Sequence, residues 1–285
     1  MKKSDKKKRS LLGALPAVPY VVWMVLFIAI PLGMVAFFAL TDPQGQFTLE
    51  NIARGGEHMS VLLRSIKLAT IATILCIIIA YPLAYILSRK QGFQKQTLFV
   101  MVMLPMWMNF LLRTFAWMTI LENNGLINKF LGLFGIGPLQ MLRFGQPIRQ
   151  GAVILGMVYN YIPFMILPLY TTMCKIGNDV IEAAQDLGGN TFQVMARVVV
   201  PLSLPGVSTG ITMVFVPAIS TFIISKMLGG GTNQLIGDII ELQFLGNSYN
   251  PNLGSAISLV LMVVVLLCMS IMSNFDDEEM EGRIL

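Results

Sequence analysis

The sequence predicts an all-α membrane protein built on six transmembrane helices, and three observations carry that expectation. Of its 285 residues, 55% are hydrophobic and only 12% charged, with a mean hydropathy of +0.71; a soluble domain of this length needs many more charged groups to cover its surface. The apolar residues fall into six long runs, near 15–40, 61–88, 97–121, 151–173, 206–228 and 253–274. Each reaches the ~20 residues that cross ~30 Å of hydrocarbon. The third observation is the placement of charge.

Six of the 20 basic residues, Lys2, Lys3, Lys6, Lys7, Lys8 and Arg9, stand just before the first run. Arg89, Lys90 and Lys95 fill the short connection between the second and third. Such clusters hold the cytoplasmic ends of spans. With the N-terminus inside, residues 89–96, 174–205 and the C-terminal tail are inside too. Inside segments then hold 12 Lys/Arg against four outside: Arg54, Lys129, Arg143 and Arg149. Arg64, Lys67, Arg113 and Lys226 fall within spans towards their external ends, where their heads can snorkel. Both termini are therefore expected in the cytoplasm. The net charge of +5 serves the lipid bilayer and implies no nucleic acid.

The first run is longer than the 7–15-residue apolar core of a signal peptide and reads as a retained span. Cys76 and Cys268 lie in spans, Cys174 lies at a cytoplasmic end, and His58 is alone. No pair has metal-ligand spacing, so neither a disulfide nor a metal site is expected.

Organisation is simple: a basic cytoplasmic tail over 1–10, a six-span domain over 11–274 and an acidic cytoplasmic tail over 275–285. The external stretch 122–150 carries Gly125, Gly132, Gly135, Gly137 and Pro138, with a short interfacial helix expected around 126–131. Prolines interrupt several spans: Pro82, Pro105, Pro163, Pro168 and Pro217. Each removes a donor and frees a carbonyl, which lipid tolerates only where protein or a wet cavity re-satisfies it. A plain anchor has no need of these breaks. A pathway or moving gate does, although kinks also serve packing.

Enzyme motifs are missing. Gly229-Gly230-Gly231-Thr232 lacks the lysine of a phosphate loop, and no His/Glu metal motif or G-x-S-x-G elbow occurs. The chain is expected to hydrolyse no ATP itself and to bind no cofactor. No span interior contains Asp, Glu or His, the residues that proton-coupled carriers use as relays. Energy must arrive another way.

The connection 174–205 is the longest on the cytoplasmic side and the most patterned. Asp179 followed by Glu182 fits a capping box. Val180, Ile181, Ala184 and Leu187 give an apolar face, with Ala183 and Ala184 small enough for close approach. Gly188-Gly189 ends the helix, glycine accepting a left-handed turn cheaply. Asn190 with Gln193 restarts a second helix, expected to run to Pro201 and Pro205. Periodicity alone fits an ordinary interfacial connector equally well.

Glu182-Ala183-Ala184, three residues, Gly188, nine residues, then Val198-x-Val200-Pro201 closely resembles the EAA loop of ABC importer permeases. Val198 and Val200 depart conservatively from the usual Ile and Leu; Asp186-Leu187 and Pro205-Gly206-Val207 agree. The resemblance implies a type I ABC importer permease-like bundle in a bacterial cytoplasmic membrane. It implies that Glu182 contacts an ATPase subunit, that Ala183 and Ala184 seat the coupling helix, and that Gly188 makes its turn. The motor would be an ATPase homodimer, which binds the ATP and Mg. A second permease and an extracytoplasmic binding protein would complete the assembly.

Further stretches resemble spermidine/putrescine permeases: 105–117 through the third span, 159–170 in the fourth, Phe215-Val216-Pro217-Ala218-Ile219-Ser220 with Leu228-Gly229-Gly230, and 235–244, the last favouring the first-permease type. Met106, Met108 and Ser220 depart from that pattern. A polycation crossing without intramembrane carboxylates needs other partners. Aromatic faces supply about 0.5–2 kcal/mol each by cation–π attraction, and Trp107, Phe110, Phe115, Trp117, Tyr159, Tyr161, Phe164 and Tyr170 are candidates. Any one of them also serves as an interfacial anchor. Carbonyls freed by Pro105, Pro163 and Pro217 add dipoles. Asn109 and Arg113 complete the third-span candidates, with Arg113 expected to pair near the external side, Glu122 being one partner. Asp238 and Glu241, in the external fifth-to-sixth connection, suit a cation or a binding protein. Alternatives within the class are permeases for an organophosphonate or ferric iron. Outside it stand a secondary carrier, against which the missing carboxylates speak, and a membrane scaffold.

Overall fold

The computed structural model describes residues 18–122, 125–134, 146–231, 233–246 and 248–281, without the side chains of 146–149 and 272–281. The basic tail 1–10 lies outside the described residues, as do Gly135, Gly137, Pro138 and Arg143 of the external stretch. Among the described residues five helices are long and apolar enough to cross a membrane, or six if a bent pair is counted as one span. The chain is a multi-pass, all-helical membrane protein; an isolated bridge between Thr41 and Phe47 is the extended pairing among the described residues.

Two compact units emerge. The first holds residues up to Glu57 together with Leu242–Met262. Its spanning helix α1 (Val18–Ala39) exposes apolar side chains on every face, as suits a helix solvated by lipid. A π-helical turn, Val25–Ala29, sits immediately before Ile30-Pro31. Proline cannot donate to the carbonyl four residues back, and the wider turn redirects the ladder, with the Ile30 amide donating to Val25. Helix α2 (Glu50–Gly56) follows a tight loop in which Asp42 Oδ1 accepts from the amides of Gln44 and Gln46.

The second unit runs from His58 to Glu241 and resumes at Val263. Its core is α3 (Met59–Arg89), α7 (Gln146–Lys175) and α9 (Thr191–Ser220), packed on one another. Small residues permit it. Ala72, Cys76, Ala80 and Ala84, four apart, are fully buried on α3, and such spacing puts them on one stripe. Met157, Met165, Leu169 and Met173 of α7 are equally buried. The Tyr81 hydroxyl lies 2.8 Å from Ser203 Oγ, tying α3 to α9.

Two expectations need correction. The third run is not one continuous span: α4 (Gly92–Trp107) and α5 (Phe110–Leu121) are separate, with an 88° bend between 92–107 and 110–133. The break falls at Met108-Asn109, where Asn109 Oδ1 accepts from the amides of Leu111 (2.8 Å) and Leu112 (3.4 Å) and starts a new helix; asparagine favours this cap over a helix interior. The fifth span is 191–220, not 206–228. The helix passes Pro201 and Pro205 because a second π turn, Met195–Val199, precedes Val200-Pro201 and gives the Val200 amide to Met195. The remainder, 223–228, is a separate short helix.

The connecting elements are α6 (Leu126–Leu133), α8 (Asn178–Asp186), α10 (Ile223–Leu228), α11 (Ile236–Leu245) and α12 (Pro251–Glu281). Helix α6 lies where a short interfacial helix was expected.

Candidate functional site

Residues 176–198 form a helical hairpin at one end of the second unit. Helix α8 follows a two-residue joint, Ile176-Gly177, with Gly177 extended as its N-cap. The expected capping box is absent: Asp179 stands in the first turn and caps nothing, since Gly177 precedes the helix. A carboxylate there still complements the helix dipole. The turn at the far end is as expected. Leu187 and Gly188 end the helix, with Gly188 at φ +85°. The Gly189 amide donates to Ala184 (3.1 Å) and the Gly188 amide to Gln185 (2.8 Å), a Schellman closure that satisfies the last carbonyls. Asn190 and Gln193 form a capping box that starts the second helix: the Gln193 amide donates to Asn190 Oδ1 at 2.8 Å, and Gln193 Oε1 accepts from the Asn190 amide at 3.0 Å.

The hairpin presents its chemistry outward. Asp179, Glu182, Ala183, Asp186 and Gly188 are exposed, and Ala184 is half-buried. Leu187 is 91% exposed and Phe192 80%. A cavity of about 380 Å³ opens between the helices, lined by Ala184, Leu187, Gly188 and Gly189 on one side and Gln193, Val194, Arg197 and Val198 on the other. Exposed apolar residues beside a cavity, on a polar hairpin, are the makings of a docking surface.

The pathway candidates fall into separate clusters. Trp107 closes α4 and is 77% exposed. Asn109 is the helix cap already described. Trp117 and Tyr159 meet edge to face with centroids 5.3 Å apart. Tyr161 is buried and its hydroxyl donates to the Pro217 carbonyl at 3.3 Å, beyond which α9 ends. Phe164 is half-buried. Arg113 is 6% exposed with Nε and Nη1 unpartnered, and its guanidinium lies 6.0 Å from the Phe110 ring. The expected pairing with Glu122 is not formed. Neighbouring Asn160, missed in the sequence, is buried and donates to Gly156 (2.9 Å) and Thr114 (3.5 Å). An apolar cavity of about 390 Å³ lies elsewhere, among Ile66, Thr70, Ile74, Phe215 and Cys268; none of these candidates lines it.

At the opposite end of the unit, Asp238 and Glu241 lie on α11. Asp238 is buried, and its Oδ2 accepts from the Leu235 amide at 2.7 Å. Burial pushes its carboxyl up from the ordinary value, against the hydrogen bonds from Leu235 and Ser225 that favour the anion. Glu241 pairs with Lys226 at 3.0 Å. Lys226 therefore does not snorkel from a span; it stands on α10 and meets a carboxylate. Ser65 Oγ accepts from the Ile236 amide at 2.8 Å, holding this region to α3. Among the described residues no group of three His, Cys, Asp or Glu could hold a metal.

Several apolar spans, one broken in mid-course, and a projecting helical hairpin define a multi-span membrane transport component. The family described as "Binding-protein-dependent transport system inner membrane component" matches residues 77–277, and the chain belongs to it. It is similar to the spermidine/putrescine transport system permease protein PotB of Escherichia coli (strain K12), 35% identical over 260 residues that cover 87% of this chain and 92% of the relative. The Haemophilus influenzae protein of the same name is 37% identical over 255 residues, 86% of this chain and 87% of the relative. Among solved structures, a bacterial ABC transporter involved in the import of the acidic polysaccharide alginate matches with TM-score 0.74 at 17% identity, over 96% of this chain and 98% of that one. The fold is that of an ABC importer permease.

Proposed function

We propose that the chain is the first-type permease subunit of an ATP-driven spermidine/putrescine importer. The observation that carries the reading is similarity to polyamine-transport permeases over 87% of the chain. The hairpin around Glu182 supports the coupling role. The subunit forms half of the translocation route with a second, related permease, and the pair works with two copies of an ATPase on the cytoplasmic side, this chain meeting its motor through the one hairpin. ATP and Mg sit on those ATPases, and this chain carries out no hydrolysis. An extracytoplasmic binding protein delivers the polyamine. Both termini lie in the cytoplasm, in accord with the basic start of the chain and the positive-inside rule.

In the proposed cycle, closure of the ATPase dimer on ATP pushes residues 179–189. Leu187 and the Ala183-Ala184 surface take the load, and the spans tilt from inward-open to outward-open. Solute enters between the two permeases, and hydrolysis resets the bundle. Aromatic faces and proline-freed carbonyls stabilise the cation on its way. Selection rests largely on the binding protein, because the spans contain no carboxylate. The deciding experiment is ATP hydrolysis by the reconstituted complex. Spermidine-loaded binding protein should stimulate it, and Glu182→Lys should abolish the stimulation. Indifference to polyamine, with stimulation by another solute, would overturn the substrate reading.

A further inference from the structure

From the sequence, Arg89 is one of several cations marking the inner side of the membrane. Its contacts are more specific. The guanidinium Nη2 donates to the Met173 carbonyl at 2.8 Å, and Nη1 donates to the Ile176 carbonyl at 3.0 Å and to Asn178 Oδ1 at 2.8 Å. The Tyr85 ring lies 5.5 Å from its centre. Met173 belongs to the last turn of α7, Ile176 to the joint, and Asn178 is the first residue of α8. One side chain at the end of α3 thus holds the end of the fourth span, the joint and the start of the hairpin.

The chemistry suits arginine. The last carbonyls of a helix carry partial negative charge and lack intrahelical donors, and a planar fork of donors can serve several at fixed angles. A lysine keeps the charge but not the fork. A cation needed only for topology would be exchangeable between the two; one that serves three acceptors through a fork would not.

We infer that Arg89 is a positioning residue, a clamp through which displacement of α8 reaches α3 as well as α7. Without it, α8 is connected to the bundle at this joint through the bend at Ile176 and the extended Gly177, a link that transmits push poorly because its backbone can rotate. With it, the two core helices move together. The inference deepens the proposed function and rests on the hairpin being the lever an ATPase moves.

The test uses the whole importer in liposomes, with polyamine uptake and ATP hydrolysis measured on the same preparation. Arg89→Lys and Asn178→Ala should leave assembly with the ATPase intact. Each should lower polyamine imported per ATP hydrolysed by about tenfold, the factor typical of a lost charge-assisted hydrogen bond. Asn178→Asp keeps an acceptor for Nη1 and should restore the ratio to within about twofold of wild type, below the effect of one such bond. Unchanged ratios in both Arg89→Lys and Asn178→Ala would overturn the clamp. A second readout does not depend on transport. Hydrogen exchange at the Ile176 amide, which donates to the same Met173 carbonyl that Arg89 holds, should accelerate in Arg89→Lys, and unchanged protection would also overturn it. Absence of polyamine uptake by the wild-type complex counts instead against the proposed function, with exchange still deciding the clamp.

Discussion

The side-chain amide of Asn252 donates to the Thr41 carbonyl at 2.6 Å, joining residues more than two hundred positions apart. It also reaches the Phe38 carbonyl at 3.1 Å, and Asn51 donates to Thr41 from another direction at 2.9 Å. These carbonyls close the C-terminal end of α1, where the helix leaves its last acceptors without partners. Two asparagines do there what water does for an exposed helix. Asn252→Ala should cost about 1–3 kcal/mol, the penalty of a buried acceptor left unmade. Because Asn51 still serves Thr41, the double variant Asn51→Ala/Asn252→Ala should lose more than the two single losses together, by about 0.5–3 kcal/mol as for residues sharing one partner. Unfolding of the purified subunit in detergent, followed by tryptophan fluorescence, measures both.

A second prediction concerns the approach of α9 to α7. A Cβ at Gly206 would lie 2.7 Å from Thr172 Oγ1 and 2.9 Å from the Pro168 carbonyl. The hydroxyl can turn away; the backbone oxygen cannot. Gly206→Ala should therefore destabilise by about 1–3 kcal/mol, as overpacking does, despite alanine's better helix propensity. Gly33 is the control. No atom lies within 4 Å of a Cβ there, so Gly33→Ala should be neutral or stabilising by up to about 1 kcal/mol. Thermal midpoints of the two variants, compared with wild type, decide it. Equal midpoints for both would mean that the helices are not so closely packed.

Much of the fold was legible because lipid imposes it. Long apolar runs have no other home, and Gly188 and the Asn190/Gln193 pair announce their turn and cap locally. Other features turn on how the chain enters an element. Asp179 and Glu182 have capping-box spacing, yet the cap position falls on the extended Gly177, two residues before Asp179. Pro105 signalled a break in the third span, whereas the helix ends two residues beyond it and restarts at Asn109. Pro201 signalled an end, but a π turn absorbed it. Tertiary partners were not legible at all. Nothing around Arg89 distinguishes a clamp from a topological marker, and nothing around Arg113 shows that its guanidinium is buried with no carboxylate paired to it among the described residues.

Asp238 supplies a pH-dependent prediction. Its carboxyl is raised above the ordinary value by burial, with Glu241 adding to the shift and Lys226, Leu235 and Ser225 opposing it. A raised acid holds its proton more tightly in the folded chain than in the unfolded one. Below the unfolded value of about 4 both states are protonated and the contribution to stability is fully present. As pH rises through the folded value, the unfolded state is favoured and the contribution is lost. Asp238→Asn cannot ionise, yet its Oδ1 can still accept from the Leu235 amide. The variant should match the wild type near pH 4, where Asp is protonated, and become progressively more stable than it towards neutrality. Midpoints measured across that range test the sign directly: a wild type that gains on the variant as pH rises would mean that the hydrogen bonds and Lys226 outweigh burial, and that the carboxylate is the form this end of the bundle is built to hold.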